Sequence, residues 1–256
     1  MTDFLVEKSE SIPPNYISLT IKPINGSLPP ILPGQFVEVK VPDTAKTFLR
    51  RPISIHDVDS DKQTITLLIR VVGNGTKQLS LLQEGDKINV VFPLGNGFDL
   101  SRVGKRPLLI GGGVGVAPLL YLGRCLKQQN VEVDFLFGVR SKNDLLRYDV
   151  YSSVGRVNIT TEDGSMGKQG FVTDHDFLSL QNIGKFTSLL VCGPTPMMKA
   201  VGNLAKKANI PCFVSLENKM ACGIGVCLCC VTDTNEGHKC VCSDGPIFDI
   251  NDLKWE

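Results

Sequence analysis

The first 124 residues contain no cysteine, and nowhere in the 256-residue chain do 18 apolar residues run together. A membrane-crossing helix needs about 20, so no helical span is expected. An excess of charge is missing too: 27 Lys and Arg against 26 Asp and Glu leave a net charge of +1. That is too little to build the basic field on which nucleic-acid or acidic-membrane binding depends. The opening MTDFLVEKSESIPPNY has neither the basic start nor the apolar run of a secretory leader. These absences predict a cytoplasmic protein with no nucleic-acid partner and no membrane contact. With 42% hydrophobic and 21% charged residues, the composition is that of an ordinary globular chain, long enough for one large domain or two modest ones.

Of the nine cysteines, six lie between Cys222 and Cys242. A disulfide scaffold belongs to short secreted chains and spreads its bridges over the fold. Here the chain is long, without a leader and well supplied with core residues, so a local thiolate-ligated metal site is the better reading.

Two hydrophobic patterns divide the remainder. Val37, Val39 and Val41 alternate with Phe36, Glu38 and Lys40, which is the period of a strand. Ile65, Leu67, Ile69 and Val71 form a second apolar face, KINVVF is a third strand, and PPILPG, GNGT and EGD supply turns. Short strands at this spacing predict a small antiparallel β-barrel, with one helix at TKQLSLLQ. After SRVGKRP, strands (PLLIG, VEVDFLFGV, RVNITTED, SLLVCG, CFVSLE) alternate with helical segments. These predict an α/β domain with a parallel sheet and crossover helices. In one helix, PTPMMKAVGNLAKKAN, the residues Met197, Val201, Leu204 and Ala208 share a face. The last forty residues read as a cysteine-rich extension with little regular structure.

CGIGVCLCC followed by KCVCSDGP is the strongest chemical signal. Cys222-x4-Cys227-x2-Cys230 has the first spacings of a plant-type 2Fe–2S site. Gly223 and Gly225 let the backbone wrap tightly and aim amide hydrogens at cluster sulfurs. Cys242, from a separate turn, supplies a fourth thiolate. The rival is structural zinc, which ordinarily uses paired CxxC knuckles, and the x4/x2 spacing favours the cluster. Cys229, adjacent to a ligand, and Cys240, two residues before Cys242, are read as reduced bystanders. His238 raises Rieske ligation, which needs two histidines; the chain has three, widely scattered.

Three further segments carry weaker signals. GGGVGVAP, residues 111–118, is a strand–glycine loop–helix junction where amides and a helix start can receive a pyrophosphate. Gly113 and Gly115 allow close backbone approach, and Pro118 suits a first helical turn. A tight turn made for packing would look similar. LRRPISI, residues 49–55, can offer a guanidinium and a hydroxyl to a diphosphate, or be an edge strand that tolerates proline. CGPTPMM sets Cys192 at a strand's carboxyl end, where doubly wound folds bind ligands; a buried small hydrophobe is its plain alternative.

Together these segments resemble the ferredoxin–NADP reductase superfamily, in which RPxS on the barrel binds flavin, and GxGxxP with CGP binds nicotinamide nucleotide. The order of barrel, nucleotide domain and 2Fe–2S tail, with SLENKMACGIGVCLCCV, VCSDGPIFDI and TTEDGSMGKQGFVTD, resembles the family of electron-transfer subunits of bacterial NAD-dependent dihydroorotate dehydrogenase. The resemblance covers essentially the whole chain. It implies an FAD-binding β-barrel over 1–102, an NAD-binding α/β domain over 103–216 and a cluster domain over 217–256. Arg51, Pro52, Ile53, Ser54, Leu68, Ile69, Arg70, Gly75 and Thr76 should contact FAD. Gly113, Gly115 and Cys192 should meet NAD+ or NADH, and Cys222, Cys227, Cys230 and Cys242 should hold the cluster. Cys229 and Cys240 depart from the family pattern.

The implied work is electron transport for pyrimidine (UMP) biosynthesis. Nicotinamide exchanges two electrons at once and a 2Fe–2S cluster one, so a flavin between them is chemically required. The implied partner is an FMN-containing catalytic subunit that oxidises dihydroorotate, two copies of each subunit forming a heterotetramer. No base constellation here suits that oxidation, so no catalytic residue is assigned. Two other readings stay open: a flavin/2Fe–2S subunit of another NAD(P)-linked complex, hydrogenase or ferredoxin-linked, and a zinc-stabilised protein without redox activity. Arg140, in GVRSKND, is near the place where NAD and NADP are told apart. Pro246 and Phe248 are expected to pack the tail onto the flavin domain.

Overall fold

The computed structural model describes residues 1–42 and 47–255. Its N-terminal part is a closed antiparallel barrel of β1 (Thr2–Ile12), β2 (Tyr16–Pro23), β3 (Phe36–Val39), β4 (Arg51–Asp59), β5 (Thr64–Arg70) and β6 (Lys87–Leu94), with helix α1 (Asn74–Leu79) before the last strand. Around the barrel the order is β1-β2-β5-β4-β3-β6, and β6 pairs back with β1. Val37, Val39, Ile65, Leu67 and Ile69 all enter the barrel core, as their alternation predicts. Closure leaves no free sheet edge. The helix begins two residues earlier than TKQLSLLQ suggests. Thr76 Oγ1 accepts the amides of Val72 and Gly73 and fixes the start there.

The second unit runs β7 (Pro107–Gly112), α2 (Leu119–Gln128), β8 (Asp134–Val139), α3 (Tyr148–Ser152), β9 (Arg156–Thr161), β10 (Lys168–Gln169), β11 (Ser188–Cys192), α4 (Thr195–Ala208) and β12 (Cys212–Ser215). Its sheet order is β10-β9-β8-β7-β11-β12, parallel throughout. Leu108, Leu109 and Ile110 are fully buried, as are Leu189, Leu190 and Val191. Strands covered on both faces need such unbroken apolar runs. The buried face of α4 differs from the expected one: Met198, Val201, Gly202 and Ala205 are buried. Met197, Leu204 and Ala208 pack at its margin. The face turns because Ile250 seats on Gly202, where a Cβ would meet Ile250 Cδ1 at 2.5 Å.

The tail is more ordered than its sequence suggests. β13 (Val231–Thr234) and β14 (Gly237–Cys240) form a hairpin, and β15 (Ile247–Asp249) pairs antiparallel with β12 as the seventh strand of the parallel sheet. Phe248 and Ile250 are buried; at about 1.5–3 kcal/mol each they hold the tail down. Phe248 lies opposite Val214 of β12, in a core cluster that joins nucleotide-domain residues to Phe36 of the barrel. Pro246 does reach the barrel end, where a Cβ on Gly95 would meet its Cδ at 2.6 Å.

Polar contacts that join barrel to nucleotide domain include His56 Nδ1 with Ala117 O (2.8 Å), Tyr121 Oη donating to Ile31 O (3.1 Å), Arg124 paired with Asp57 (3.2 Å) and Arg147 paired with Glu10 (3.3 Å). Among the described residues no helix is long and apolar enough to cross a membrane.

Candidate functional site

Where barrel and sheet meet there is a cavity of about 200 Å³. Its barrel wall is Pro52, Ile53 and Ser54 of β4 with Leu68, Ile69 and Arg70 of β5. These are six of the nine residues that the resemblance assigns to flavin. Register explains their meeting, since β3 sets Phe36 opposite Ser54 and Glu38 opposite Pro52, and Phe36 completes the wall. Arg51 is folded back: Nη1 donates to Leu49 O (2.8 Å) and Arg50 O (3.1 Å), and its guanidinium lies on Gly75. Thr76 uses its hydroxyl to start α1, accepting from Gly73 N and donating to Gly73 O at 3.1 Å.

The opposite wall comes from the nucleotide domain and tail: Val114, Ala117, Ser215 to Asn218, Met220 and Pro246. The glycine loop forms a 3₁₀ turn over Gly113–Val116 before α2, with Pro118 as the residue entering the helix. Gly113 lies at φ +57° with open space beside it, whereas Gly115 is pressed onto the Cys192–Gly193 backbone. The loop and the CGP segment are thus in direct contact. Cys192 stands opposite Gly111 of β7 and Ser215 of β12, at the carboxyl ends of the parallel strands. Its thiol reaches Glu217 Oε1 at 3.9 Å. Burial pushes both groups up, Cys192 well above a free thiol and Glu217 above the usual carboxylate range. The sequence reading did not single out Glu217. The available signal was a carboxylate just past an apolar strand, at the sheet end where ligands bind. Arg140 is exposed directly after β8, and its carbonyl accepts the amide of Asp163.

The thiol loop is the third part. Gly223 and Gly225 adopt φ +71° and +81°, a region that favours glycine, and of the loop's cysteines Cys222 is half-buried and Cys227 exposed. Cys222 and Cys227 are neighbours, as are Cys230 and Cys242. Backbone amides already point at sulfur: Ile224 N to Cys222 Sγ (3.5 Å), Gly225 N to Cys242 Sγ (3.1 Å) and Cys242 N to Cys230 Sγ (3.4 Å). The amides of Ile224 and then Cys227 hold the Cys222 thiol down at about 6, while burial raises Cys242. Two thiols per iron, solvated by N–H donors, is the donor set of a 2Fe–2S core. Among the described residues no three His, Cys, Asp or Glu side chains gather closely enough for one ion. Cys229 is exposed. Cys240 is buried, and its thiol is pushed up by that burial and by the neighbouring Cys230, Asp244, Cys222 and Cys227. His238 pairs with Asp233 (2.6 Å) on the exposed hairpin, away from the thiols it would need to join in a Rieske site.

Loop and cavity are neighbours. Phe36 lines the cavity, and two residues along the same face of β3 Glu38 abuts Gly223, where a Cβ would meet Glu38 Cγ at 2.7 Å. Two strand residues span about 6.6 Å. Glu38 is fully buried, neither carboxylate oxygen has a partner among the described residues, and burial raises it to about 7. On its outer side the loop exposes Ile224, Val226 and Leu228.

Residues 217–254 match a family model described as the iron–sulfur cluster binding domain of dihydroorotate dehydrogenase B, and residues 109–203 match an oxidoreductase NAD-binding domain. The chain is 40% identical over 227 residues to the dihydroorotate dehydrogenase B (NAD(+)) electron transfer subunit of Shouchella clausii, covering 86% of each protein. To the protein of the same name from Caldanaerobacter subterraneus it is 43% identical over 220 residues, covering 84% of each. Among solved structures, an NADH-dependent reduced ferredoxin-NADP oxidoreductase associated with flavin-based electron bifurcation superposes with a TM-score of 0.84 at 29% identity, covering 98% of this chain and 90% of that one. The flavohem-like FAD/NAD binding domain of a nitric oxide dioxygenase from Vibrio cholerae shares the fold, with a TM-score of 0.70 at 16% identity over 82% of this chain and 94% of that one.

Proposed function

The chain belongs to the family of electron transfer subunits of NAD(+)-dependent dihydroorotate dehydrogenase B, and from that premise we propose how its residues divide the work. It is an NAD-linked flavin and iron–sulfur oxidoreductase subunit, acting beside a catalytic subunit. The observation that carries the reading is the adjacency on β3, where Phe36 serves the cavity and Glu38 touches the thiol loop. On this reading a flavin site and a one-electron site would share a single strand. When bound, FAD supplies exchange between one-electron and hydride transfer, and a 2Fe–2S cluster supplies one-electron steps.

Pro52, Ile53, Ser54, Leu68, Ile69 and Arg70 would bind the flavin ring and its chain, with Arg51, Gly75 and Thr76 at the phosphates. Arg51 contributes fixed positive charge there, and the buried walls exclude water. Gly113, Gly115 and Cys192 would receive the nicotinamide nucleotide, with the Cys192–Glu217 pair orienting its ring against the cavity. Cys222, Cys227, Cys230 and Cys242 would hold the cluster. The exposed Ile224, Val226 and Leu228 would meet the catalytic subunit, which carries FMN and oxidises dihydroorotate, two copies of each chain assembling in the cytoplasm. We divide the chain at 102/103 and 216/217 for these three tasks.

The purified full chain should show flavin and cluster absorbance and, mixed with the FMN subunit, couple dihydroorotate to NAD+. A colourless protein would overturn the cofactor reading. A coloured protein that couples NADH only to a ferredoxin would favour the second reading, which the 0.84 TM-score supports.

A further inference from the structure

We propose that Cys240 is a positioning residue of the thiol loop: it ligates nothing and instead fixes the Gly225 peptide whose N–H solvates the Cys242 sulfur. The inference rests on the ligand assignment above and concerns a cysteine outside it.

Gly225 is gripped on both sides by one short segment. Its amide donates to Cys242 Sγ at 3.1 Å, and its carbonyl accepts the Cys240 thiol at 3.8 Å. A Cβ on Gly225 would meet Ser243 Oγ at 2.8 Å, so loop and segment fit closely. Cys240 is itself anchored by backbone. It pairs with Val231 at the end of the hairpin, its amide donates to Asp244 Oδ2 (2.6 Å), and its carbonyl accepts the amides of Ser243 (3.1 Å) and Asp244 (2.8 Å). The thiol is therefore held where it stands by contacts that involve no other sulfur.

If Cys240 replaced Cys242 as the fourth ligand, its S–H contact with Gly225 would be lost. The Gly225 N–H would be left aimed at a sulfur that ligates nothing. Cys242 already has two sulfur-directed contacts: its Sγ accepts the Gly225 amide, and its own amide donates to Cys230 Sγ. Thiols are weak donors, but this one acts on a residue free to take many backbone angles, where a modest restraint decides orientation. Hydrogen bonds to cluster sulfurs help set iron–sulfur reduction potentials. A loosened Gly225 peptide should thus leave the Cys242 sulfur less well solvated and the cluster harder to reduce.

The test uses the full chain carrying FAD and cluster, with iron content and cluster midpoint potential measured by an EPR-monitored redox titration. Cys240→Ala and Cys240→Val both remove the donor, the second while filling the space; Cys240→Ser keeps a donor. Ala and Val should retain full iron but show a lower potential, the reduced-to-oxidised ratio at the wild-type midpoint falling about threefold to tenfold (tenfold being 59 mV for one electron). Ser should stay close to wild type. Unchanged potentials in Ala and Val, or a Ser variant as low as Val, would overturn the positioning role and leave the ligand set standing. Iron lost in Ala, Val and Ser alike while Cys242→Ser keeps it would overturn both, making Cys240 the ligand.

Discussion

The guanidinium of Arg51 rests on the Cα of Gly75: a methyl built there would meet Arg51 Nε at 2.5 Å and Nη2 at 2.8 Å. Two segments 24 positions apart, the barrel RPIS and the GNGT turn, thereby form one surface. On the proposed assignment Arg51→Ala should remove a charge-assisted bond to FAD worth about 1.5–3 kcal/mol, so FAD affinity should fall roughly ten- to a hundredfold. Gly75→Ala should displace the same guanidinium and lower affinity in the same direction. Because both changes act through one group, the double variant should bind FAD no worse than Arg51→Ala. Additive losses, measured by flavin fluorescence titration, would mean that Gly75 acts separately.

A second close approach should separate nicotinamide binding from flavin binding. A methyl on Gly115 would land 2.5 Å from Cys192 O and 2.5 Å from Gly193 Cα, and neither is the end of a flexible side chain. Gly115→Ala should push the glycine loop off the CGP segment and raise KM for NADH about tenfold or more, equivalent to about 1.4 kcal/mol. FAD content should not change. Steady-state NADH–dye kinetics with a flavin assay on the same sample decides it, and a loss of FAD with KM unaltered would count against the division.

Among the clustered cysteines, Cys222→Ser, Cys227→Ser, Cys230→Ser and Cys242→Ser should each lose cluster absorbance, because each removes a thiolate. Cys229→Ala should keep it, because Cys229 is outside the proposed ligand set. Visible spectra and iron assays on the five variants suffice. Retained absorbance in Cys230→Ser together with loss in Cys229→Ala would shift the register by one.

Spacing made the thiol loop legible because a metal core dictates ligand separation almost regardless of the surrounding fold. The barrel and parallel sheet were legible because alternating and continuous apolar runs report burial on one face or two. What escaped were features set by distant neighbours. Glu217 matters through Cys192, 25 residues away, and no local pattern marks it. β15 is three residues long and exists because β12 offers an open edge. Glu38 reads as the solvent side of an alternating strand, yet it is buried because Gly223 covers it. The α4 face turned for a like reason, a tail residue seating on Gly202.

His56 gives the fold a defined acid sensitivity. Its buried ring contacts Ala117 O at 2.8 Å across the barrel–nucleotide interface, and burial lowers its pKa from about 6.5 to about 4. As pH falls, the unfolded chain takes up this proton first, so stability from the neutral ring is complete above about 6.5. It is lost progressively down to about 4, roughly 3 kcal/mol in all. His56→Gln can still donate to Ala117 O but does not titrate. Urea unfolding at pH 7.5 and 4.5 should therefore show a smaller acid loss in the variant, and equal losses would assign the sensitivity elsewhere.

The cavity and the thiol loop should be separable by activity. On the proposed assignment NADH uses the glycine loop, Cys192 and the cavity walls, so the isolated chain should reduce an artificial dye with NADH. It should not oxidise dihydroorotate, since the residues around the cavity supply no arrangement for that step. Adding the FMN subunit should join dihydroorotate to NAD+, with electrons entering through the face that exposes Ile224, Val226 and Leu228. Cys222→Ser should abolish the coupled reaction while sparing much of the dye activity. The sparing depends on the tail staying docked without its cluster. That docking rests on Phe248 and Ile250 in the shared core and on β15 paired with β12, and the backbone ladder of that pair uses none of the four proposed cluster thiols. FAD content of the variant should therefore remain near wild type, and measuring it alongside both activities distinguishes a broken relay from a collapsed cavity. Coupled turnover that survives loss of the cluster would mean that electrons reach the flavin by another route.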